Sequence, residues 1–371
     1  MFPPRSFAVA AIAAIALDLL LLAARPAGAD LLQQTWLPVP AGRVNHAPGI
    51  VELPSGQLLA CWYSGSHEAN PDVVILCATG GDAGATWSAP RQVAGPGEQA
   101  IGASAPNKTL GNVALYEDTA GRLWMINGVI QRFTVPIFGN ICRTWYCGRV
   151  DARVSLDEGR TWSAPVRLDD QFGALPRAKP VHHPTLGDLV PLYLELPHTS
   201  HVRALDLATM APGEVPASRL MPIPGHGVIQ PSLVLLSEGQ LYAYLRDSRA
   251  IAIRVSFLDP ATWSWTLPAA TDLPNPDSGI DAFVDDAGEI VVVYNPSTED
   301  RLTLAMAASQ NAVHFPHHCI LVPKDTEGDV AYPVVIRARD GTWHVIYSAW
   351  AKTRIVHFRF DSAWLRSCLA G

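Results

Sequence analysis

Two stretches of the chain nearly repeat each other: residues 80–90 read GGDAGATWSAP, and residues 154–165 read VSLDEGRTWSAP. Both contain Asp-x-Gly-x-Thr-Trp-Ser-Ala-Pro, with seven identities in nine positions. In a turn, an Asp carboxylate accepts backbone N–H bonds, Gly takes a positive φ, and Trp buries a large apolar surface. The motif contains no activated nucleophile and no pair of acids. It therefore predicts a structural turn rather than a catalytic site.

A second, weaker repeat predicts the architecture. An apolar strand, a turn with Gly and another apolar strand recur six times, as in IVELPSGQLLACW (residues 50–62). The turn glycines are 49 to 66 residues apart: Gly56, Gly121, Gly187, Gly239, Gly288 and Gly341. This spacing is typical of four-stranded propeller blades, and no long stretch has helical periodicity. The sequence predicts an all-β, six-bladed β-propeller.

The Trp motif has a place in this scheme. Its two copies follow the first and second hairpins, and degenerate copies follow the fourth (residues 256–263) and the fifth (residues 309–315). Each copy is expected at the turn between the third and fourth strands of its blade.

Composition narrows the class of protein. Of 371 residues, 49% are hydrophobic and 16% are charged, which suits a large core and argues against disorder. The net charge of −7 provides no basic surface, so nucleic acid is not expected as a partner. No cluster of ligands requires a metal. We expect a monomer without a cofactor.

The N-terminal residues 1–29 resemble an export signal. Arg5 precedes an apolar run, and Ala27-Gly28-Ala29 forms a cleavage site before Asp30. We expect a periplasmic or secreted protein whose propeller domain spans residues 30–371 and whose mature chain has no membrane span. Asp18 interrupts the apolar run, and the alternative is an uncleaved membrane anchor.

All six cysteines follow the predicted cleavage site, and an even number in an exported chain permits disulfides. Cys142 and Cys147 are close enough in sequence to close a small loop. Cys61 and Cys77 lie on neighbouring predicted strands. For each pair, buried free thiols are the alternative.

The Trp motifs look like Asp boxes, and the arrangement resembles the sialidase superfamily, in particular its BNR-repeat members, over about residues 44–364. Arg246 (YLRDS) and Arg301 (YNPSTEDR) match two arginines of that family's carboxylate-binding triad. Tyr332 (AYPVV) matches its tyrosine nucleophile. Glu68 (SGSHEANPDVVI) occupies the position of its acid/base carboxylate, which is usually Asp. The resemblance implies a glycoside hydrolase.

Two positions depart from the family pattern. His46 (NHAPGIVEL) stands where the first triad arginine is expected. The glutamate that partners the tyrosine is expected two residues before Gln230, where this chain has Val228. These departures favour a different acidic or deoxy sugar, or a propeller that binds without turnover.

Strand direction tests whether these residues meet. In a hairpin, the first residues of the first strand lie beside the last residues of the second strand, on the side of the blade opposite the turn. His46 and Tyr332 precede their turn glycines, whereas Glu68, Arg246 and Arg301 follow theirs. All five are therefore expected on one face of the disc, with the Asp boxes on the other.

The same rule nominates four further residues: Lys179, Tyr193, Glu195 and Asp277. For each of them, a surface position on a blade loop is the alternative. Glu195 is the candidate to replace the missing glutamate beside the tyrosine, and His46 is the other group that could take the phenol's proton. Lys179, Asp277 and His46 are candidate substrate-binding residues.

The resulting hypothesis is a retaining exo-glycosidase that acts on terminal sialic acid or a related acidic sugar in glycans. Arg246 and Arg301 would bind the sugar carboxylate through charge-assisted forks. Tyr332 would attack the anomeric carbon, and Glu68 would protonate the leaving oxygen. The alternative from another class is a non-catalytic glycan- or partner-binding propeller.

Overall fold

The computed structural model describes residues 32–371, with gaps at 133, 136–138, 141, 143 and 216 and no side chains for 134, 135, 139 and 140. The predicted export signal lies outside the described residues. Six antiparallel sheets follow one another along the chain, and they form the predicted six-bladed β-propeller.

The strands are numbered in chain order. The first is β1 (Leu32–Trp36). Blade I contains β2 (Val44–Glu52), β3 (Leu58–Gly65), β4 (Val74–Gly81), β5 (Thr86–Trp87) and β6 (Arg91–Ala94). Blade II contains β7 (Asn107–Glu117), β8 (Leu123–Gln131), β11 (Gly148–Ser155) and β12 (Val166–Asp169), with the hairpin β9 (Thr134–Val135) and β10 (Gly139–Asn140) between them. Blade III contains β13 (Ala174–Pro176), β14 (Val181–His183), β15 (Gly187–Leu194), β16 (Thr199–Leu205) and β17 (Arg219–Ile223).

The second half follows the same plan. Blade IV contains β18 (Val228–Leu235), β19 (Leu241–Asp247), β20 (Ala252–Asp259), β21 (Ser264–Trp265) and β22 (Ala269–Pro274). Blade V contains β23 (Asp281–Val284), β24 (Ile290–Tyr294), β25 (Leu304–Ser309) and β26 (His317–Val322). Blade VI contains β27 (Ala331–Arg337), β28 (Trp343–Ala349), β29 (Arg354–Phe360) and β1. The helix α1 (Ser362–Leu369) follows.

The propeller closes through its first strand. Strand β1 pairs antiparallel with β29, so that Leu32 lies opposite Phe360 and Trp36 opposite Val356. The first described strand is therefore the outer strand of the last blade, and it joins the two ends of the described chain.

The hairpin turns match the sequence prediction. Five of the six glycines lie between the first two strands of their blades, Gly187 is the first residue of β15 after the β14 turn, and all six have φ between 75° and 88°. A side chain is strained in this left-handed region, which explains the regular recurrence of Gly.

The Asp boxes also lie where they were predicted, between the third and fourth strands of blades I, II, IV and V. In the second copy, the Asp157 carboxylate accepts hydrogen bonds from the Thr161 backbone at 2.8 Å and the Ser155 hydroxyl at 2.8 Å. Trp162 packs against the core shared by blades I and II. The motif thus belongs to the frame, at the end of each blade opposite the candidate site described below.

Three disulfides stabilise the described chain. Cys61–Cys77 joins β3 to β4, Cys142–Cys147 closes a loop before β11, and Cys319–Cys368 attaches α1 to β26. The first two confirm the proposed pairings. The third was not predicted, because the docking of α1 on blade V has no local sequence signal. No helix among the described residues is long and apolar enough to cross a membrane.

Candidate active site

Breaks in the inner strands position the candidate site. The β-ladder register shifts at Ala47-Pro48, Gln230-Pro231 and Tyr332-Pro333. Proline has no N–H to donate to the ladder, so each pair forms a bulge. The residue before each proline has a positive φ of 50°, 56° or 61°. Such strained positions are rare for large side chains and concentrate at functional sites.

Blades II and III are interrupted at the corresponding place. The register of β7 shifts between Leu110 and Val113, and this bulge includes Asn112. In blade III, residues 177–180 separate β13 from β14. The interruptions release side chains from the sheets toward the axis of the propeller.

A cavity of about 200 Å³ is lined by Asn112, Gln230 and Tyr332 from these interruptions. Six of the eight predicted site residues line it: His46, Glu68, Glu195, Arg246, Arg301 and Tyr332. Tyr193, which the topology rule also nominated, lines it too. Five more lining residues were missed: Tyr63, Asn112, Trp145, Gln230 and Lys352. The shared face expected from strand direction is therefore a single concave site.

Tyr332 has unusual surroundings for a buried phenol. Its hydroxyl accepts hydrogen bonds from Arg246 Nη1 at 2.9 Å and Gln230 Nε2 at 3.1 Å. Burial acts to raise the pKa of Tyr332, but the charge of Arg246 and the Gln230 hydrogen bond outweigh it, and the pKa is lowered. In the same cavity, burial raises the pKa of Tyr63 and of Tyr193. Among the three tyrosines that line the described cavity, Tyr332 alone has a lowered pKa.

Gln230, rather than Val228 or the predicted replacement Glu195, donates a hydrogen bond to the Tyr332 hydroxyl. Val228 is 3% exposed and belongs to an apolar core cluster. The side chain that reaches the Tyr332 hydroxyl is Gln230, two residues later. The sequence contained a signal for it, because the bulge-forming Gln-Pro pair interrupts an otherwise apolar strand. An amide donates a hydrogen bond, but it cannot take the phenol's proton.

Asp277 orients both predicted arginines from outside the cavity lining. Its Oδ1 accepts a hydrogen bond from Arg246 Nε at 2.7 Å, and its backbone carbonyl accepts one from Arg301 Nη2. Asp277 itself has a positive φ of 52°. It is placed to position the guanidinium groups rather than to contact a ligand.

His46 contributes no charge. It is 2% exposed, its Nδ1 lies 2.7 Å from Ser348 Oγ, and its ring centroid is 4.4 Å from that of Tyr332. Burial first, and then the charges of Lys352 and Arg177, lower the pKa of His46 well below its ordinary value. The imidazole is therefore neutral at physiological pH, unlike an arginine at the same position.

The two cavity glutamates differ in environment. Glu68 Oε1 accepts hydrogen bonds from the Tyr63 hydroxyl and the Lys352 ammonium, each at 2.7 Å. Burial acts to raise the pKa of Glu68, but Lys352 and these hydrogen bonds lower it overall. Burial raises the pKa of Glu195 against the opposing charge of Arg246. Among the described residues, the Glu195 carboxylate makes no hydrogen bond.

Two cationic residues of the segment between β13 and β14 lie outside the cavity lining. Lys179 does not line it, because its ammonium contacts the buried Asp281 carboxylate at 2.6 Å. Arg177 was not predicted. It is 1% exposed, donates to the Pro333 carbonyl at 2.7 Å, and has its guanidinium 4.7 Å from the Tyr332 ring centroid. Arg177 therefore supports the ring of Tyr332 from beneath.

The arrangement suits recognition of an anion beside a nucleophile. Arg246, Arg301 and Lys352 supply positive charge, and Tyr332, Glu68 and Glu195 supply groups that can attack or exchange protons. Among residues 32–371 as described, no group of three His, Cys, Asp or Glu side chains could hold a metal ion.

Solved structures with the same fold include several sialidases. A protein of unknown function from Dyadobacter fermentans has a TM-score of 0.68 at 12% identity, covering 89% of this chain and 99% of its own. The Hadza microbial sialidase Hz136 has a TM-score of 0.65 at 17% identity, covering 86% of this chain and 66% of its own. The leech intramolecular trans-sialidase, solved with 2,7-anhydro-Neu5Ac, has a TM-score of 0.69 at 11% identity, covering 88% of this chain and 69% of its own.

At these identities the likeness establishes the fold. The chain spans about two thirds of the length of each of these two structures. A comparison with curated protein sequences gave no match. The model of the BNR repeat-like domain family matches residues 56–345. The chain therefore belongs to the BNR repeat-like domain family, within the sialidase-like propellers.

Proposed function

We propose that this protein is a retaining exo-glycosidase of the sialidase type, which releases a terminal sialic acid or a related acidic sugar. The observation that carries the proposal is the 2.9 Å hydrogen bond from Arg246 to the Tyr332 hydroxyl, inside a cavity that also contains Arg301 and Glu68. A cavity of about 200 Å³ is suited to one terminal sugar ring.

The charges support an acidic sugar. Guanidinium groups bind carboxylates in charge-assisted forks, and Asp277 holds both Arg246 and Arg301 in place for this purpose. A sugar carboxylate next to the anomeric carbon would repel a carboxylate nucleophile. A tyrosine can stay neutral while the substrate binds, the Arg246 guanidinium can compensate the charge of its phenolate, and sialidases are glycosidases that use a tyrosine nucleophile.

The proposed reaction has two steps. The Tyr332 phenolate, which has lost its proton to solvent before attack, attacks the anomeric carbon while the glycosidic C–O bond breaks and Glu68 gives a proton to the leaving oxygen. Water then attacks the same carbon, Glu68 takes a proton from it, and the bond to Tyr332 breaks. The two displacements together retain the anomeric configuration.

A panel of acidic-sugar glycosides, including sialosides and uronides, tests the proposal. We expect sugar release by the wild-type protein and a loss of about 100-fold or more in kcat for Tyr332→Phe, since nucleophile removal eliminates the covalent route. Phe retains the ring that packs on His46 and Arg177. No release from any member of the panel would refute the proposal.

A binding protein without turnover is the second candidate, and Gln230 favours it. An amide in place of a carboxylate beside Tyr332 removes a base that could activate the phenol. In that case, Tyr332→Phe would leave glycan binding unchanged, whereas Arg301→Ala would abolish it. These binding isotherms, together with the absence of sugar release by a wild-type protein that binds the glycan, distinguish the candidates.

We also propose an exported, periplasmic or secreted location. All six cysteines form disulfides, which persist in oxidising compartments. Intact-mass analysis of protein from cell fractions tests this proposal. A mature chain starting at Asp30 in the periplasm or medium is expected, and a full-length chain in the membrane would indicate the anchor instead.

A further inference from the structure

The cavity contains a cation that the resemblance did not anticipate. Lys352 extends from the turn between β28 and β29, where Trp350, Ala351 and Lys352 have φ values of 52°, 49° and 67°. Three consecutive left-handed residues form a constrained turn. The Asn45 backbone N–H donates to the Lys352 carbonyl at 2.6 Å, so the turn is held against the strand that carries His46.

This placement compensates for the neutral imidazole. Lys352 and His46 line the same cavity, and after burial the charge of Lys352 contributes to lowering the pKa of His46. Lys352 reaches from blade VI to the position beside blade I where the family's first arginine is expected. The cavity thus has three cationic side chains, those of Arg246, Arg301 and Lys352. Lys352 comes from the turn between β28 and β29, whereas the family's first arginine is expected on the strand that carries His46.

We infer that Lys352 is the third cation of the anion site, and that a bound carboxylate replaces Glu68 as its partner and leaves Glu68 protonated. This inference rests on the proposed function, since it identifies how the same cavity would select an acidic sugar. The proton comes from solvent and adds to the Glu68 carboxylate, while the Tyr63 hydroxyl can still donate to that residue.

The ion pair is suited to such an exchange. The side chains of Lys352 and Glu68 are 30% and 27% exposed, and ion pairs this accessible are weak. Without the exchange, Glu68 would stay ionised beside Lys352 and would be a poor proton donor. A second carboxylate close to Glu68 makes simultaneous ionisation of both unfavourable, so one of them takes up a proton.

The other groups around Glu68 do not reverse this result. Tyr63 on β3 is a neutral donor, and His67 is exposed on the loop that carries Glu68. Across the cavity, Tyr332 and Glu195 add negative charge when ionised, which acts in the same direction as the ligand. An anionic ligand therefore raises the pKa of Glu68, whereas a neutral sugar leaves the Lys352 pair intact.

The consequence is specificity in the chemical step. A neutral sugar could enter the cavity, but Glu68 would remain paired with Lys352 and could not protonate the leaving oxygen. Acidic sugars would therefore be favoured in kcat as well as in KM.

Calorimetric titration with N-acetylneuraminic, glucuronic and galacturonic acid tests this exchange. At mildly acidic pH, in two buffers with different ionisation enthalpies, we expect uptake of up to about one proton per bound sugar. Lys352→Met should weaken binding by about 10- to 100-fold and largely remove the proton uptake. Glu68→Gln should retain binding without proton uptake.

Lys324→Met is the matched control, because Lys324 forms an exposed pair with Asp300 outside the cavity. It should change neither affinity nor proton uptake. Binding without proton uptake by the wild-type protein, unchanged affinity in Lys352→Met, or no binding of any of the three acids would overturn the inference. Proton-coupled binding without release from any glycoside would instead overturn the proposed function alone.

Discussion

The Gln230 side-chain amide donates a hydrogen bond to the Tyr332 hydroxyl at 3.1 Å, across the centre of the propeller from blade IV to blade VI. Both residues have a positive φ in an X-Pro bulge of an inner strand. Gln230 can stabilise a phenolate but cannot accept its proton. Arg246, the other described partner of this hydroxyl, is also a donor, so the phenol is expected to lose its proton before it attacks and the reaction rate to follow the phenolate fraction.

This relationship predicts the pH dependence of turnover. Because the charge of Arg246 and the Gln230 hydrogen bond outweigh burial, the pKa of Tyr332 is below its ordinary value, and kcat for an acidic sugar should rise with pH as the phenolate forms, until Glu68 loses the proton that it takes up on binding. Gln230→Ala should move this rise to higher pH and lower the rate at neutral pH by about tenfold. The control is Gln240→Ala, at an exposed turn. A rise at the same pH in Gln230→Ala would contradict the assignment.

Asp277→Asn should weaken substrate binding more than chemistry. The substitution removes the charge that orients the Arg246 guanidinium at 2.7 Å, while Asn tolerates the local φ of 52°. We expect KM to rise by about tenfold and kcat to change much less, since a charged hydrogen bond contributes roughly 1.5 kcal/mol. Steady-state kinetics measure both, and an unchanged KM would show that Asp277 does not position the arginine.

Acid should destabilise the closing blade. His344 Nδ1 and His357 Nε2 lie 2.9 Å apart in the core, and Thr35 of β1 contacts the His357 ring at 3.0 Å. Burial lowers the pKa of His344 to about 4. The unfolded chain therefore binds more protons below the ordinary pKa of His, and stability falls as pH drops from that value toward 4.

The loss from His344 alone should be about 2 kcal/mol near pH 5. Urea unfolding between neutral pH and pH 5 measures it. His344→Gln should flatten the dependence, and the same substitution at the exposed His226 should not. Equal slopes for wild type and His344→Gln would exclude this pair as the cause.

The Cys319–Cys368 disulfide should stabilise the fold without affecting the site. It attaches α1 to blade V and spans 49 residues of sequence. Cys368→Ser should lower the free energy of unfolding by about 3 kcal/mol and leave kcat/KM essentially unchanged. Denaturant titration with parallel assays tests this. Reduced activity at full folding would mean that blade V transmits the change to Arg301.

Local turn chemistry explains why the architecture could be predicted. Gly at a left-handed turn and the Asp-box residues have fixed roles, so Gly56 or Trp162 can be interpreted without tertiary information. Strand direction then predicted the face on which His46, Arg246 and Tyr332 meet.

The remaining site residues depend on the three-dimensional arrangement. A bulge changes which residue of a strand reaches the site, and for this reason the position of Gln230 at the Tyr332 hydroxyl could not be read from the strand pattern. Lys352 enters the cavity through a turn of three left-handed non-glycine residues, a conformation that the letters WAK do not predict. The neutral state of His46 likewise follows from burial and from cations on other blades.

The most direct test of the central claim is mass spectrometry of the acid-quenched protein during turnover of an acidic-sugar glycoside. The account predicts a covalent adduct with the mass of the sugar, located by peptide mapping on Tyr332 and absent from Tyr332→Phe. Turnover without an adduct on Tyr332, and with kcat unchanged in Tyr332→Phe, would contradict it.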